Sequence, residues 1–260
     1  MEKYLLSSLL IALLTVGTHE KSVAQNNSRA DSTLQIMKKV ADWQLHSWER
    51  EGMRHPKYDW TNGAAYAGFM ALNEIANDPK YSKAMYRIGE DLDWNTGPRR
   101  TMADDYCVAQ MFSQMYSLYR QPKMIAYFEQ QADSIVEMPH TESLEWKNNI
   151  SLREWAWCDA LFMGPPALAY LSTATGDQKY LDIASKLWWK TTDYLFDPSE
   201  NLYFRDGSYL NKKEANGTKM FWSRGNGWVM GGLLRMLDNM PANYPDRPRF
   251  IELYKKVAEK

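Results

Sequence analysis

Apolar residues recur through most of this chain with the spacing of an amphipathic α-helix. From Asp31 to Glu51 they fall on roughly one helical face. The same spacing recurs in the later segments Asn62–Ala76, Lys80–Leu92, Met102–Tyr119, the stretch after Gln121-Pro122, Pro165–Thr173, Tyr180–Leu195, Trp228–Asn239 and Arg247–Lys260. The pattern predicts about nine helices.

Turn residues separate these helices and introduce one exception. Pro165-Pro166 suits the first turn of a helix, where missing N–H groups cost little, and Gly176-Asp177 is a stop-and-restart signal. Leu202 to Leu210 resembles a short β-hairpin centred on Asp206-Gly207. The remainder is an all-α array of antiparallel helix pairs whose faces are partly apolar on both sides, as expected for the layers of a toroid.

Composition narrows the class of partner. The 260 residues fit one large domain, and a formal net charge of −1 gives no reason to expect nucleic acid or an anionic membrane surface. The 11 Trp and 16 Tyr residues are the unusual feature, because aromatic faces stack on sugar rings. An aromatic helical core explains any single Trp equally well.

The first 24 residues have the features of a secretory signal. Lys3 supplies the positive start, Leu5 to Val16 is an apolar run too short to span a membrane, and Ser22-Val23-Ala24 is a small-residue cleavage site. We therefore expect one domain over residues 25–260, in the periplasm or secreted, without a membrane anchor. Cys107 and Cys158 allow one disulfide at most, and Cys158 suits a buried apolar position.

The candidate chemistry centres on Asp159. This carboxylate lies among Trp155, Trp157, Phe162 and Met163, just before the proline pair. A carboxyl group in apolar surroundings tends to keep its proton, because desolvation penalises the charged form. A proton held near neutral pH is what a general acid needs, so Asp159 is the first candidate catalytic residue.

A second acidic site is the pair Asp104-Asp105, which begins a predicted helix. Either residue is a candidate partner for Asp159. The alternative is a purely structural role, because acidic residues favour the first turn of a helix.

Two further segments carry candidate substrate-binding residues. In the segment from Phe221 to Trp228, Arg224 lies beside two glycines and between Trp222 and Trp228, where it could bind a carboxylate through two hydrogen bonds. A structural ion pair is the alternative for this arginine. The turn that contains Trp60 and Asn62 is a weaker candidate, and Trp157 is an aromatic platform beside Asp159.

Several other chemistries have no support in the sequence. His46, His55 and His140 lack metal-ligand spacing, so we expect no metal site. The G-x-S-x-G motif of a serine nucleophile and the glycine-rich phosphate loop are absent, and no cofactor is expected. Carboxylate chemistry on a neutral or acidic sugar is the best-supported option.

The motif W-C-D-A-L-F-M-G-P-P around Asp159, combined with S-R-G-N-G-W from Ser223 to Trp228, resembles glycoside hydrolase family 105. These are unsaturated rhamnogalacturonyl hydrolases, related to the unsaturated glucuronyl hydrolases. The resemblance extends from about Asp31 to the last residue. It implies an (α/α)6 barrel of twelve helices, so this chain is expected to be incomplete at its C-terminus.

The resemblance also implies roles and a reaction. Asp159 is expected to be the general acid/base, Asp105 its partner with Asp104 as the alternative, and Arg224 and Trp228 contacts to the uronate. Asp159 would protonate C4 of a C4=C5 double bond in lyase-generated pectic oligosaccharides, and water would add at C5. A non-catalytic glycan-binding protein and another toroidal glycosidase or epimerase are the competing hypotheses.

Overall fold

The computed structural model describes residues 29–145 and 154–260. The predicted signal segment at residues 1–24 lies outside them. The first helix, α1, covers 29–51. The others are α2 (Trp60–Ala76), α3 (Lys80–Asp91), α4 (Ala103–Tyr106), α5 (Ala109–Tyr119), α6 (Lys123–Glu137), α7 (Ala160–Met163), α8 (Pro165–Thr175), α9 (Lys179–Leu195), α10 (Ser223–Asn239) and α11 (Arg247–Ala258). Strands β1 (Phe196–Asp197) and β2 (Leu202–Tyr203) pair antiparallel.

The chain divides into two compact units. The smaller contains residues 1–52 and 72–78, and within it the structure describes α1 and the end of α2. The larger contains residues 53–71 and 79–260 and holds every candidate site residue. The helical segments predicted from periodicity are present, which confirms the all-α class.

The core of the larger unit is built around α8. This helix is buried along nearly its whole length, as expected of a helix enclosed by others. Helices α5, α9 and α10 pack on it, and α10 also contacts α7 and α11. Many of the largest fully buried side chains are aromatic, including Trp94, Trp188, Tyr66 and Tyr81. Part of the aromatic content therefore stabilises the core.

Close backbone approach fixes α10 against α7. A Cβ atom at Gly232 would lie 2.3 Å from the carbonyl oxygen of Leu161, so a larger residue would force the two helices apart. Because α7 directly follows Asp159, this contact sets where the N-terminal half of α10 lies relative to that carboxylate.

Three predicted elements differ from the structure. The single helix predicted over Met102–Tyr119 is divided into α4 and α5, because the backbone at the junction forms bonds to the third preceding carbonyl, as from Gln110 N to Cys107 O. The hairpin predicted around Asp206-Gly207 is wrong: the hairpin turn lies between β1 and β2, and Gly207–Tyr209 is a 3-10 turn. Helix α10 begins at Ser223 and not at Trp228, so both glycines lie inside its first turns.

Candidate active site

Asp159 occupies the turn that leads into α7. A β-bridge between Trp157 and Asp206 and a hydrogen bond of 2.8 Å from Cys158 N to Arg205 O hold the preceding backbone. On the other side, Phe162 N donates to Asp159 O at 3.0 Å. The backbone is therefore held in place both before and after Asp159, and a precisely positioned acid requires such support.

The environment of Asp159 favours its protonated form. Burial raises the pKa of the carboxyl from 3.8 to about 6, against the opposing effects of Arg205, Arg224 and a hydrogen bond from Trp157. Oδ1 is buried and has no hydrogen-bond partner among the described residues. A group with this pKa and an unpaired oxygen can donate a proton to a substrate near neutral pH.

The two acidic residues of the Asp104-Asp105 pair have different surroundings. Asp105 is 2% exposed and accepts hydrogen bonds from the backbone N–H of Arg99 at 2.7 Å and from its Nε at 3.0 Å. Asp104 is partly buried. Burial, reinforced by the charge of Asp159, raises the pKa of Asp104 to about 7. Asp105 is thus held in an ion pair, whereas Asp104 interacts electrostatically with Asp159.

The start of α10 lies against the segment that carries Asp159. A Cβ atom at Gly225 would lie 2.7 Å from Cys158 Sγ and 2.6 Å from a ring carbon of Trp222. Asn226 fixes the other side, because its Oδ1 accepts from Tyr203 N at 2.8 Å and its Nδ2 donates to Tyr203 O at 3.0 Å. This packing places Arg224 where its charge lowers the pKa of Asp159.

Arg224 is exposed, and its guanidinium carbon lies 4.7 Å from the ring centre of Trp222. Among residues 29–145 and 154–260, Arg224 makes this cation–π contact and no ion pair of the kind that the sequence left open as an alternative. A stacked guanidinium keeps its hydrogen-bonding edge available for a carboxylate.

Three aromatic rings form a second group. The rings of Trp60 and Trp228 are perpendicular with centres 5.9 Å apart, and Phe162 lies 4.9 Å from Trp228. Trp228 Nε1 is buried and has no hydrogen-bond partner among the described residues. The structure therefore brings Trp60 and Trp228 together, from helices that are distant in the sequence.

The side-chain amide of Asn62, the weaker candidate for substrate binding, is bonded to the backbone. Its Nδ2 donates to the carbonyl oxygens of His55 and Pro56 at 3.2 and 2.9 Å, and the residue is 7% exposed. These bonds fasten the loop before α2. Asp59, in the same turn, caps this helix through Thr61, and its charge contributes to the raised pKa of Asp104.

Two groups that support the site were missed by the sequence analysis. Arg205 lies beside Asp159 only because the 204–206 segment pairs with the 156–158 segment. Glu154 is 2% exposed and contacts His140 Nδ1 at 3.2 Å and Lys190 Nζ at 3.0 Å. These contacts hold the backbone directly before Trp155 in place. Each arrangement depends on long-range pairing that a periodic pattern does not reveal.

Some features are absent from the part of the chain that the structure describes. Within residues 29–145 and 154–260, no three His, Cys, Asp or Glu side chains are grouped so as to hold a metal ion. Helices in these ranges are too short or too polar to cross a membrane.

Cys107 and Cys158 are both buried free thiols, and burial raises the pKa of each.

Comparison with known proteins identifies the family. The sequence profile of Glycosyl Hydrolase Family 88 matches residues 35–260. The chain belongs to glycosyl hydrolase family 88. Among its relatives is an unsaturated 3S-rhamnoglycuronyl hydrolase from Alteromonas sp., 31% identical over 248 residues, covering 86% of this chain and 59% of the relative. One of the same name from Formosa agariphila is 33% identical over 214 residues, covering 78% and 56%.

Solved structures support the fold of this family 88 chain. A family 88 glycosyl hydrolase from Bacteroides vulgatus superposes with a TM-score of 0.76 at 20% identity, covering 88% of this chain and 67% of that one. A family 105 glycoside hydrolase from C. acetobutylicum gives 0.66 at 18% identity, covering 85% and 64%. The resemblance to family 105 is confirmed, and the fold is the helical toroid of these families. The chain spans under three fifths of the length of both curated relatives.

Proposed function

We propose that this chain catalyses hydration of the C4=C5 double bond of an unsaturated uronyl residue at the non-reducing end of an oligosaccharide. The observation that carries the proposal is Asp159, a partly buried carboxyl with a pKa of about 6 and one oxygen without a hydrogen-bond partner among the described residues. Membership of family 88 supports the same reaction class.

The reaction requires one proton and one water molecule. Asp159 donates its proton to C4 of the enol ether, and positive charge develops on C5 and the ring oxygen. Water adds at C5 and gives its proton to a carboxylate of the site. The resulting hemiketal opens, and the aglycone leaves with its glycosidic oxygen protonated. The products are a 4-deoxy-5-keto-uronate and the free aglycone sugar.

Asp104 is the better partner for Asp159 within the acidic pair. Its pKa of about 7 is raised in part by the charge of Asp159, so the two carboxyl groups lose their protons in sequence between about pH 6 and pH 7. Asp105 was preferred from the family resemblance, but its carboxylate is engaged by Arg99. We therefore assign Asp104 to the chemistry and Asp105 to the support of its helix.

Arg224 and the aromatic residues suit the substrate. The exposed guanidinium on Trp222 can form two parallel hydrogen bonds with the uronate carboxylate. Trp228 offers an apolar face and the indole N–H that lacks a partner among the described residues. Asn62, whose amide bonds the backbone, is assigned no contact with substrate.

A rhamnose-type aglycone is the most consistent choice. Both curated relatives are named for rhamnoglycuronyl substrates, and the proposal extends that substrate class to this chain. Such substrates arise where a polysaccharide lyase has acted, which fits the periplasmic or secreted location proposed from residues 1–24.

The competing hypotheses explain less of the site. A glycan-binding protein would have no use for two partly buried carboxyl groups with raised pKa values. An epimerase would use paired histidines, yet His140 is occupied by Glu154 and by the carbonyl of Ile135 at 2.7 Å.

The test is loss of the ultraviolet absorbance of the conjugated double bond during incubation with an unsaturated uronyl-rhamnose disaccharide. The parent protein is compared with Asp159→Asn and with Asp238→Asn, an exposed aspartate on α10 that serves as the matched control. We expect loss of absorbance with the parent and the control but not with Asp159→Asn, while circular dichroism shows that all three are folded. Equal rates for the parent and Asp159→Asn would refute the assignment.

A further inference from the structure

The proline pair that begins α8 leaves a carbonyl group of α7 without a helical partner. In a helix the carbonyl of one residue accepts from the N–H of the residue three or four positions later. For Phe162 those residues are Pro165 and Pro166, and neither has an N–H to donate. The carbonyl oxygen of Phe162 therefore needs a donor from outside the helix, because a buried carbonyl without one is costly.

Gln110 of α5 supplies the missing donor. Its Nε2 lies 2.8 Å from the carbonyl oxygen of Phe162, and the residue is fully buried. The two residues are 52 positions apart in the sequence, so this bond ties α7 directly to α5. Phe162 N in turn donates to Asp159 O at 3.0 Å. The residue that Gln110 holds is thus bonded to the backbone of the candidate acid.

Arg235 of α10 determines which way the Gln110 amide points. Its Nε donates to Gln110 Oε1 at 2.6 Å, so the NH2 end of the amide faces Phe162. The guanidinium is partly buried, lies 5.0 Å from the ring centre of Tyr170, and has no acidic partner among the described residues. Its nearest acceptor is therefore Gln110, with Gln114 Oε1 next at 3.5 Å. A charged donor makes the bond to Gln110 stronger than a neutral donor would.

The same contacts reach the aromatic residues of the candidate site. The Phe162 ring lies 5.9 Å from the guanidinium of Arg235 and 4.9 Å from the ring of Trp228. Asp159 directly precedes α7, whereas Trp228 lies on α10. The hydrogen bonds that join α5, α7 and α10 therefore set the position of the proton donor relative to the ring that we expect to contact the sugar.

We propose that Gln110 and Arg235 are positioning residues for the hydration reaction. Gln110 replaces the hydrogen bond that Pro165 and Pro166 cannot give to α7, and Arg235 keeps its amide in the required orientation. Together they hold Asp159 at the distance from the bound uronate that proton transfer needs. Their effect on turnover rests on the proposed function, whereas their hold on α7 does not.

The first measurement follows α7 directly and uses no substrate. Amide hydrogen exchange of residues 158–164 is compared in the parent, Gln110→Met and Gln114→Met, after circular dichroism shows that each is folded. Met is similar to Gln in length and has no amide. Gln114 is the matched control because it lies one turn later on α5, and among the described residues its hydrogen bond is to Arg235 and not to α7. Exchange in this segment should be about tenfold faster in Gln110→Met, since one buried hydrogen bond is lost, and unchanged in the control.

The second measurement is turnover of the unsaturated disaccharide. Gln110→Met should lower kcat by about 10- to 100-fold with little change in KM, because the acid is displaced while Arg224 and Trp228 stay on α10. Gln110→Glu should lose activity in the same way, because its carboxylate still accepts from Arg235 but cannot donate to the carbonyl. Gln114→Met should keep both constants.

Arg235 is tested as a residue that acts through Gln110. Arg235→Met should lower kcat, and Arg235→Lys should recover part of the loss, because Lys still offers a donor to Gln110 Oε1. When Gln110→Met is already present, Arg235→Met should cost little more, since the amide that it orients is gone. If Gln110→Met does not fold, Arg235→Met, which leaves the buried amide in place, gives the comparison of exchange and turnover.

Unchanged exchange of residues 158–164 in Gln110→Met, or equal effects in Gln110→Met and Gln114→Met, would overturn the proposal. Faster exchange with an unchanged kcat would overturn it as well. Losses in kcat that multiply in the double variant would refute the role of Arg235. A parent protein that consumes no double bond would instead refute the proposed function, while the exchange data would still decide whether Gln110 holds α7.

Discussion

Replacement of Asp159 by Asn should stabilise the protein while it removes activity. The folded-state pKa of about 6 exceeds the ordinary value of 3.8, so the folded state resists ionisation that the unfolded state accepts freely. The resulting penalty is absent well below pH 3.8, grows as the pH rises, and is complete above about pH 6. Asn has nearly the same shape as Asp and carries no charge, so the variant does not bear the cost of ionising a buried carboxyl group.

The size of this effect follows from the pKa difference. A difference of about 2 in pKa corresponds to about 3 kcal/mol, and solvent screening of this partly exposed group lowers that to about 1–3 kcal/mol. For a chain of this size the gain corresponds to a rise in Tm of roughly 2–12 °C at pH 7. Removal of the Asp159 charge also removes its repulsion of the Asp104 carboxylate, which further stabilises the folded protein.

The measurement is the Tm of the parent, Asp159→Asn and Asp238→Asn at about pH 4 and about pH 7, by scanning calorimetry. The Tm of Asp159→Asn should be clearly higher than that of the parent at pH 7 and only slightly higher at pH 4. The exposed control, Asp238→Asn, should match the parent at both pH values. A variant that is no more stable than the parent at pH 7, or equally stabilised at both pH values, would refute the argument that burial holds a proton on Asp159.

Three further outcomes follow from the site. Asp104→Asn should lower turnover by about 100-fold and leave Tm unchanged or raised, whereas Asp105→Asn should lower Tm because it removes the partner of Arg99; the opposite pattern in kcat and Tm would exchange the two roles. Arg224→Lys should raise KM with little change in kcat, because Lys cannot form the planar fork, and an unchanged KM would contradict the carboxylate contact. Gly225→Ala should lower kcat/KM, because the new Cβ meets Cys158 and Trp222 at under 3 Å, while Gly227→Ala, with no atom within 4 Å, should keep it.

The pH dependence of turnover has a defined sign. Asp159 must hold a proton to act as the acid, and ionisation of the pair extends from about pH 6 to about pH 7. Turnover should therefore fall as the pH rises through this range. In Asp104→Asn only Asp159 titrates, so the fall should centre on about pH 6. A parent profile that stays flat to well above pH 7 would contradict the role of a buried acid.

Local patterns in the sequence were sufficient to predict most of the helices and the desolvated environment of Asp159. Apolar residues recur with helical periodicity because burial selects one face of a helix. A carboxyl group with Trp and Phe close to it in the sequence is predicted to be desolvated whatever the overall fold. The same reasoning fails between Asp104 and Asp105. Adjacent residues on a helix point in directions about 100° apart, and only the contact with Arg99 shows which one is engaged.

Arg205 shows why the rest of the site depends on the fold. Its sequence neighbours, Asp206 and Gly207, indicate only a turn, and the hairpin predicted there has the wrong centre. The bridge from Trp157 to Asp206 is what brings this turn beside Asp159. That one bridge therefore sets the position of the acid and places Arg205 where its charge lowers the pKa of Asp159. Because this backbone pairing holds Asp159 in place, a change that breaks the bridge should weaken proton transfer from Asp159.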